Sequence, residues 1–144
     1  MTRKRVRAEP MSAPLVYLVD DDRDFLEMEA AILTASGYRT RSFSESREAL
    51  AALAAADGEQ RPSLLVTDLM MKSLDAGFTF ARAVRSDPRL SDIPIVIVSA
   101  VASQKGFDFQ PRTAEDLAAM NAEAFFDKPV PPAAFLAKVK ELAR

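Results

Sequence analysis

Five polar side chains in this 144-residue sequence stand where an apolar run gives way to a turn. Asp20 and Asp21 follow Leu15-Val16-Tyr17-Leu18-Val19, and Asp68 follows Ser63-Leu64-Leu65-Val66-Thr67. Ser99 follows Ile95-Val96-Ile97-Val98, and Lys128 follows Ala124-Phe125-Phe126-Asp127. Three carboxylates drawn into one small site repel each other. A pair about 4 Å apart at an effective dielectric near 20 costs roughly 4 kcal/mol. Either a proton is retained or a cation sits among them. An all-oxygen site of this kind suits Mg²⁺, which keeps some of its waters and often binds beside phosphate. Lys128 offers a compact positive charge for a phosphoryl oxygen, and Ser99 offers a hydroxyl donor. Together these groups could receive a phosphoryl group on a carboxylate and neutralise its charge.

The composition removes most other chemistry. The chain has no Cys, so disulfides, thiolate metal sites and Cys nucleophiles are excluded. It has no His, which excludes Ser-His-Asp triads and histidine metal sites. Its glycines, Gly37, Gly58, Gly77 and Gly106, are too scattered for a dinucleotide fingerprint or a Walker A loop. The length fits one domain. Arg3, Lys4, Arg5 and Arg7 are followed by no hydrophobic stretch, so residues 1–13 read as a disordered basic tail and not as a secretory signal. The remainder, residues 14–144, carries 15 basic and 20 acidic residues, a balance of about −5 that argues against nucleic-acid binding. No apolar run is long enough to span a bilayer, so a cytoplasmic location without membrane contact is expected.

The elements that must position the site can be read from periodicity. Each of the apolar runs named above reads as a buried strand, and Tyr38 to Phe43 as a weaker one. Phe25, Met28, Ile32 and Leu33 recur at spacings of three and four, which predicts a helix with Asp22 as N-cap and Gly37 as its stop. Ser44 or Ser46 opens an Ala-rich helix to about Ala56. Further helices are expected over about Phe78–Arg85, with Phe78, Ala81 and Val84 apolar, and about Thr113–Asn121, with Thr113 as N-cap. A last helix follows Pro131-Pro132 and buries Phe135, Leu136, Val139 and Leu142. Five βα units in succession call for an α/β fold, a doubly wound parallel sheet of five strands. In such a sheet ligands bind beyond the carboxyl ends of the strands, which is where the polar groups collect.

These stretches resemble a response-regulator receiver domain of two-component signalling. The likeness is carried by LVDDD (Leu18–Asp22), LLVTDLMM (Leu64–Met71), DPRLSDIPIVIVSA (Asp87–Ala100) and FFDKPV (Phe125–Val130), in that order, and covers about residues 14–144. It implies the flavodoxin-like (βα)5 receiver fold. It further implies Asp68 as phosphoacceptor, with Mg²⁺ held by Asp20, Asp21, Asp68 and the backbone carbonyl of Met70. Ser99 and Lys128 would bind the phosphoryl group, Ser99 and Phe125 would form the switch, and the Lys128-Pro129 bond would be cis. The implied donor is a sensor histidine kinase or a phosphotransfer protein. The implied output is a changed face at the fourth helix and fifth strand that binds an unknown downstream protein. A domain of this family is not an enzyme in the usual sense, but a regulator that assists its own phosphorylation and dephosphorylation.

Three features depart from the family pattern. Lys72 stands where a proline is common, and the stretch from Asp68 to Gly77 is one residue longer. The segment between Ser99 and Lys128 is several residues longer, mostly before the fourth helix. No output domain follows the last helix, so the expectation is a stand-alone receiver. Met70 is apolar where an attacking water would be oriented, which predicts slow loss of phosphate. Two rival functions belong to other classes. A degenerate receiver would act only as a protein-binding module. A haloacid-dehalogenase-type phosphohydrolase would need a second Asp where Met70 stands, and a cap insertion.

Overall fold

Every residue of β1 (Leu15–Val19), β3 (Leu64–Asp68) and β4 (Ile95–Ser99) is buried, as a parallel sheet covered on both faces requires. With β2 (Arg39–Phe43) and β5 (Ala124–Asp127) these strands form one parallel sheet in the order β2-β1-β3-β4-β5. The computed structural model describes residues 13–68, 76–99, 115, 118 and 121–143. Among the described residues its helices include α1 (Arg23–Ala35), α2 (Ser46–Ala55), α3 (Ala76–Ser86) and a C-terminal helix (Pro132–Leu142), with a 3-10 turn at Gly58–Gln60. None is long and apolar enough to cross a membrane. The order of strands reverses between β1 and β3, so the crevice expected to bind ligand lies between their carboxyl ends.

Alternation along the strands divides the core into two halves. Tyr17, Val19, Leu65, Ile95 and Ile97 pack with Leu53 of α2 and with Phe80 and Val84 of α3. Leu18, Val66, Val96 and Val98 pack on the other face with Leu26 and Leu33 of α1 and with Phe135 and Val139 of the C-terminal helix. The edge strand β2 exposes Arg41 and Ser42, and charge on an edge discourages pairing with another chain.

Local signals operate as the sequence suggests. The Asp22 side chain caps α1, accepting from the Phe25 N–H at 3.2 Å. Gly37 follows that helix with φ +93°, a left-handed conformation that favours glycine. Lys128-Pro129 is cis. At α2 the helix begins at Ser46, and its N-cap, Glu45, makes no side-chain cap; Glu45 pairs with Arg47 at 2.7 Å. Ala13, the last residue of the expected tail, is itself buried, and its carbonyl accepts from Arg39 Nε at 2.8 Å.

One expectation is corrected. Met28, placed by periodicity on the buried face of α1, is 40% exposed. The stripe that meets the sheet is Leu26, Glu29 and Leu33. It is rotated by one residue from the apolar pattern, because the most buried row of this helix includes a carboxyl group.

The expected acceptor loop with Met70 and Lys72, the tail over 1–12 and most of the segment over 100–120 lie outside the described residues. Residues 115 and 118, within the expected fourth helix, are helical.

Candidate functional site

Register alone brings the site together. Val19 of β1 lies opposite Thr67 of β3, so Asp20 and Asp68 are neighbours one step further along. Asp68 lies opposite Val98 of β4, which puts Ser99 one residue beyond it. Ser99 in turn lies opposite Asp127, and the Lys128 N–H donates to the Ser99 carbonyl at 2.9 Å. Alternation continues past the strand ends. Asp20, Asp68 and Lys128 follow the residues that face α1 and the C-terminal helix, whereas Ser99 continues the row facing α2 and α3.

The structure accordingly joins four of the expected site residues directly. Asp20, Asp21 and Asp68 each offer a carboxylate oxygen, and these oxygens lie within 4.8 Å of one another. Lys128 Nζ is 2.9 Å from Asp20 Oδ2 and 3.5 Å from Asp68 Oδ2. Asp20 Oδ1 accepts from the Asp22 N–H at 2.9 Å. Asp20 and Asp68 are buried while Asp21 is exposed, so the group opens to solvent on one side. Ser99 is fully buried at the end of β4. Phe125 is half-buried and packs against the core half that contains Tyr17 and Ile97.

Burial raises the Asp20 pKa above the ordinary range despite its bonds to Lys128 and the Asp22 N–H. For Lys128, burial would lower the value, but the hydrogen bonds and charges of Asp20 and Asp68 raise it overall. The ammonium therefore stays charged, and it also lies 4.2 Å from the centre of the Phe25 ring, well inside cation–π range.

Glu29 is the neighbour that sequence reading missed. It is 2% exposed, and its Oε2 has no hydrogen-bond partner. Burial pushes its pKa up to about 8, with Asp20 and Asp68 raising it and Lys128 lowering it. On the helical wheel it passes for part of the solvated face, because only the docking of α1 on the sheet turns it inward. A buried carboxyl without a full set of partners is the signal, and that is a tertiary property.

Glu29 keeps its proton below about 8, and the three aspartates facing one ammonium still make a site short of positive charge. The donors are hard oxygens, and three of them converge from two adjacent strand ends, so the residues present fit a Mg²⁺-sized cation. At ten times its dissociation constant, Mg²⁺ is expected to stabilise the fold by about 1.4 kcal/mol, a rise of about 4 °C in Tm. Asp21→Asn should lose more than half of that rise in a thermal-melt titration. An undiminished response would place the ion elsewhere.

Comparison with known proteins gives the family and the fold. Residues 16–140 match the response regulator receiver domain. The transcriptional regulatory protein GltR of Pseudomonas aeruginosa is 30% identical over 133 residues, covering 90% of this chain and 48% of GltR. The response regulator PleD of Caulobacter vibrioides is 31% identical over 129 residues, covering 90% of this chain and 26% of PleD. The chain thus spans less than half the length of these relatives. Among solved structures, a response regulator from Chloroflexus aurantiacus superposes with a TM-score of 0.74 at 24% identity, covering 91% of this chain and 98% of that one. TrrA of Thermotoga maritima, solved in complex with Mg²⁺ and BeF, superposes with a TM-score of 0.69 at 20% identity, covering 90% and 98%. Both likenesses concern the fold.

Proposed function

This chain belongs to the response regulator receiver domain family, and from that premise we propose that it takes a phosphoryl group onto Asp68. The donor is a sensor histidine kinase or a phosphotransfer protein. An Asp68 carboxylate oxygen attacks phosphorus, the bond from phosphorus to the donor histidine nitrogen breaks, and the histidine leaves with its electron pair. The product is an acyl phosphate. The observation that carries this reading is the convergence on Asp68 of two further carboxylates and a lysine 3.5 Å away.

Each residue has a part in the proposal. Asp20, Asp21, Asp68 and the Met70 carbonyl would hold Mg²⁺, which when bound supplies charge neutralisation between the acceptor and the incoming phosphoryl oxygens. Lys128 contributes the remaining positive charge, and its seat beside Asp68 keeps that charge at the acceptor before the donor arrives. The Ser99 hydroxyl takes one phosphoryl oxygen as its hydrogen-bond acceptor, and Phe125 repacks with it. Since β4 and β5 adjoin, that repacking alters the surface along β5 and the preceding helix, and a downstream protein reads the change.

Labelling with a small-molecule phosphodonor such as acetyl phosphate tests the reading. An adduct that is stable to gel filtration, hydroxylamine-labile and dependent on Mg²⁺ is expected. Continuous release of inorganic phosphate would instead indicate a hydrolase. No adduct and no turnover would indicate a module that only binds protein.

A further inference from the structure

Lys128 is held by more than its two aspartates. Its closest partner, Asp20 Oδ2, is an oxygen of the acidic cluster itself, and the other oxygen of that carboxylate is already engaged by the Asp22 N–H. Asp68 Oδ2, its second partner, belongs to the same cluster. Any cation seated among Asp20, Asp21 and Asp68 therefore competes with Lys128 for the oxygens that hold it, and its own charge repels the ammonium. A lysine on a flexible four-carbon stem would then be free to leave the acceptor.

Beyond the cluster, the Lys128 ammonium meets a ring of α1. The Phe25 ring lies 4.2 Å from Nζ. Glu29 follows one helical turn later on the same side of α1, buried, with Oε2 unpartnered and in the field of the Lys128 charge. A buried carboxyl oxygen without a partner is costly, and the ammonium of a lysine displaced from Asp20 can donate to that group.

We propose that Phe25 and Glu29 form a second seat for the Lys128 ammonium, on α1, that keeps this lysine at Asp68 once Asp20 and Asp68 are engaged by a cation. The inference rests on the receiver reading for its purpose, but the seat itself is a property of the protein without phosphate. Phe25 and Glu29 are positioning residues, acting on Lys128 and not on the phosphoryl group.

Side-chain NMR of the full chain with labelled lysine tests the seat directly. The Lys128 resonance is assigned by its loss in Lys128→Arg. A lysine over an aromatic ring shows its ε protons shifted upfield. That shift is expected to persist when Mg²⁺ is added at saturation, to vanish in Phe25→Leu and to survive in Phe25→Trp. A shift that disappears from the wild type on adding Mg²⁺ would overturn the proposal, as would one unaffected by Phe25→Leu. The rate of labelling by acetyl phosphate at saturating Mg²⁺ gives the consequence. Phe25→Leu should lower it about fivefold, in line with a cation–π contact of about 1 kcal/mol, with Mg²⁺ affinity by calorimetry unchanged and Phe25→Trp restoring the rate. Glu29→Gln, which keeps a side-chain oxygen, should stay within about twofold of the wild type, while Glu29→Leu should fall severalfold. Equal rates in Glu29→Gln and Glu29→Leu would remove Glu29 from the seat. Should the wild type accept no phosphate at all, the receiver reading fails, and the NMR arm still decides whether the lysine is seated on α1.

Discussion

Asp68→Asn is expected to abolish formation of the phosphoryl adduct while leaving the fold intact. The amide is nearly isosteric with the carboxylate but offers no anionic oxygen to attack phosphorus. The stability of the variant should equal or exceed that of the wild type. One carboxylate is removed from a cluster whose members lie within 4.8 Å, and Lys128 retains its shorter partner, Asp20, at 2.9 Å. The measurement is labelling by acetyl phosphate with Mg²⁺, followed by borohydride reduction and peptide mass spectrometry to place the adduct. The wild type should carry it on the peptide that contains Asp68, and the variant should carry none. Continued labelling of Asp68→Asn at a comparable rate would assign the acceptor to another carboxylate. The neighbouring substitution Asp21→Asn, which spares the acceptor, should label more slowly but still label, so the two variants separate acceptor from ion ligand.

A second large effect concerns Glu29, and its sign follows from linkage. Its ordinary value of 4.5 is raised to about 8, chiefly by burial. Between those values the folded protein retains a proton that the unfolded chain has released. Stability therefore falls as pH rises from about 4.5 to about 8, and levels off above that. The gap between the two values corresponds to a loss on the order of 5 kcal/mol across that window. Asp20, also raised, acts in the same direction. Glu29→Leu should remove most of this slope, because the position lies in the stripe of α1, with Leu26 and Leu33, that packs on the sheet. In chelated buffer at pH 8 the variant should melt about 10 °C above the wild type, with the two converging near pH 5. Thermal melts across that range decide it, and a parallel pH slope in both proteins would refute the assignment. Together with the slower labelling expected of the same variant, the gain in Tm would mark Glu29 as a residue kept at the expense of stability.

The strands, their parallel pairing and the kinds of group that meet at the rim were legible from local pattern. An all-apolar run such as Ile95 to Val98 is readable because a strand covered on both faces needs no polar alternation. Asp22 and Gly37 are readable because capping and a left-handed turn are settled within a few residues. The acidic doublet after Val19 and the aspartate after Thr67 stand out because one carboxylate suffices for a cap, and a parallel sheet gathers its strand ends at one rim. Lys128 was less legible: a lysine before a proline carries no local signal, and only its place after the fifth strand set its charge at the rim. Helix periodicity, in contrast, misjudged α1. Met28 and Glu29 differ by one position on the helix, and apolarity favoured the wrong one.

Which row of α1 turns inward is decided by how the β1-to-β2 crossover docks on the sheet, and no window of a dozen residues contains that information. The same holds for the ion pair of Lys128 with Asp20, joined by register across β1, β3, β4 and β5, and for the Phe25 ring, which the docking of α1 brings beside it. Sequence alone thus determined the elements and the kinds of chemical group at their ends, because caps and periodicity are short-range. The partners those groups meet, and the burial that shifts Glu29, were decided by tertiary structure, because desolvation and Coulomb interactions depend on distances that only the assembled sheet and its covering helices define.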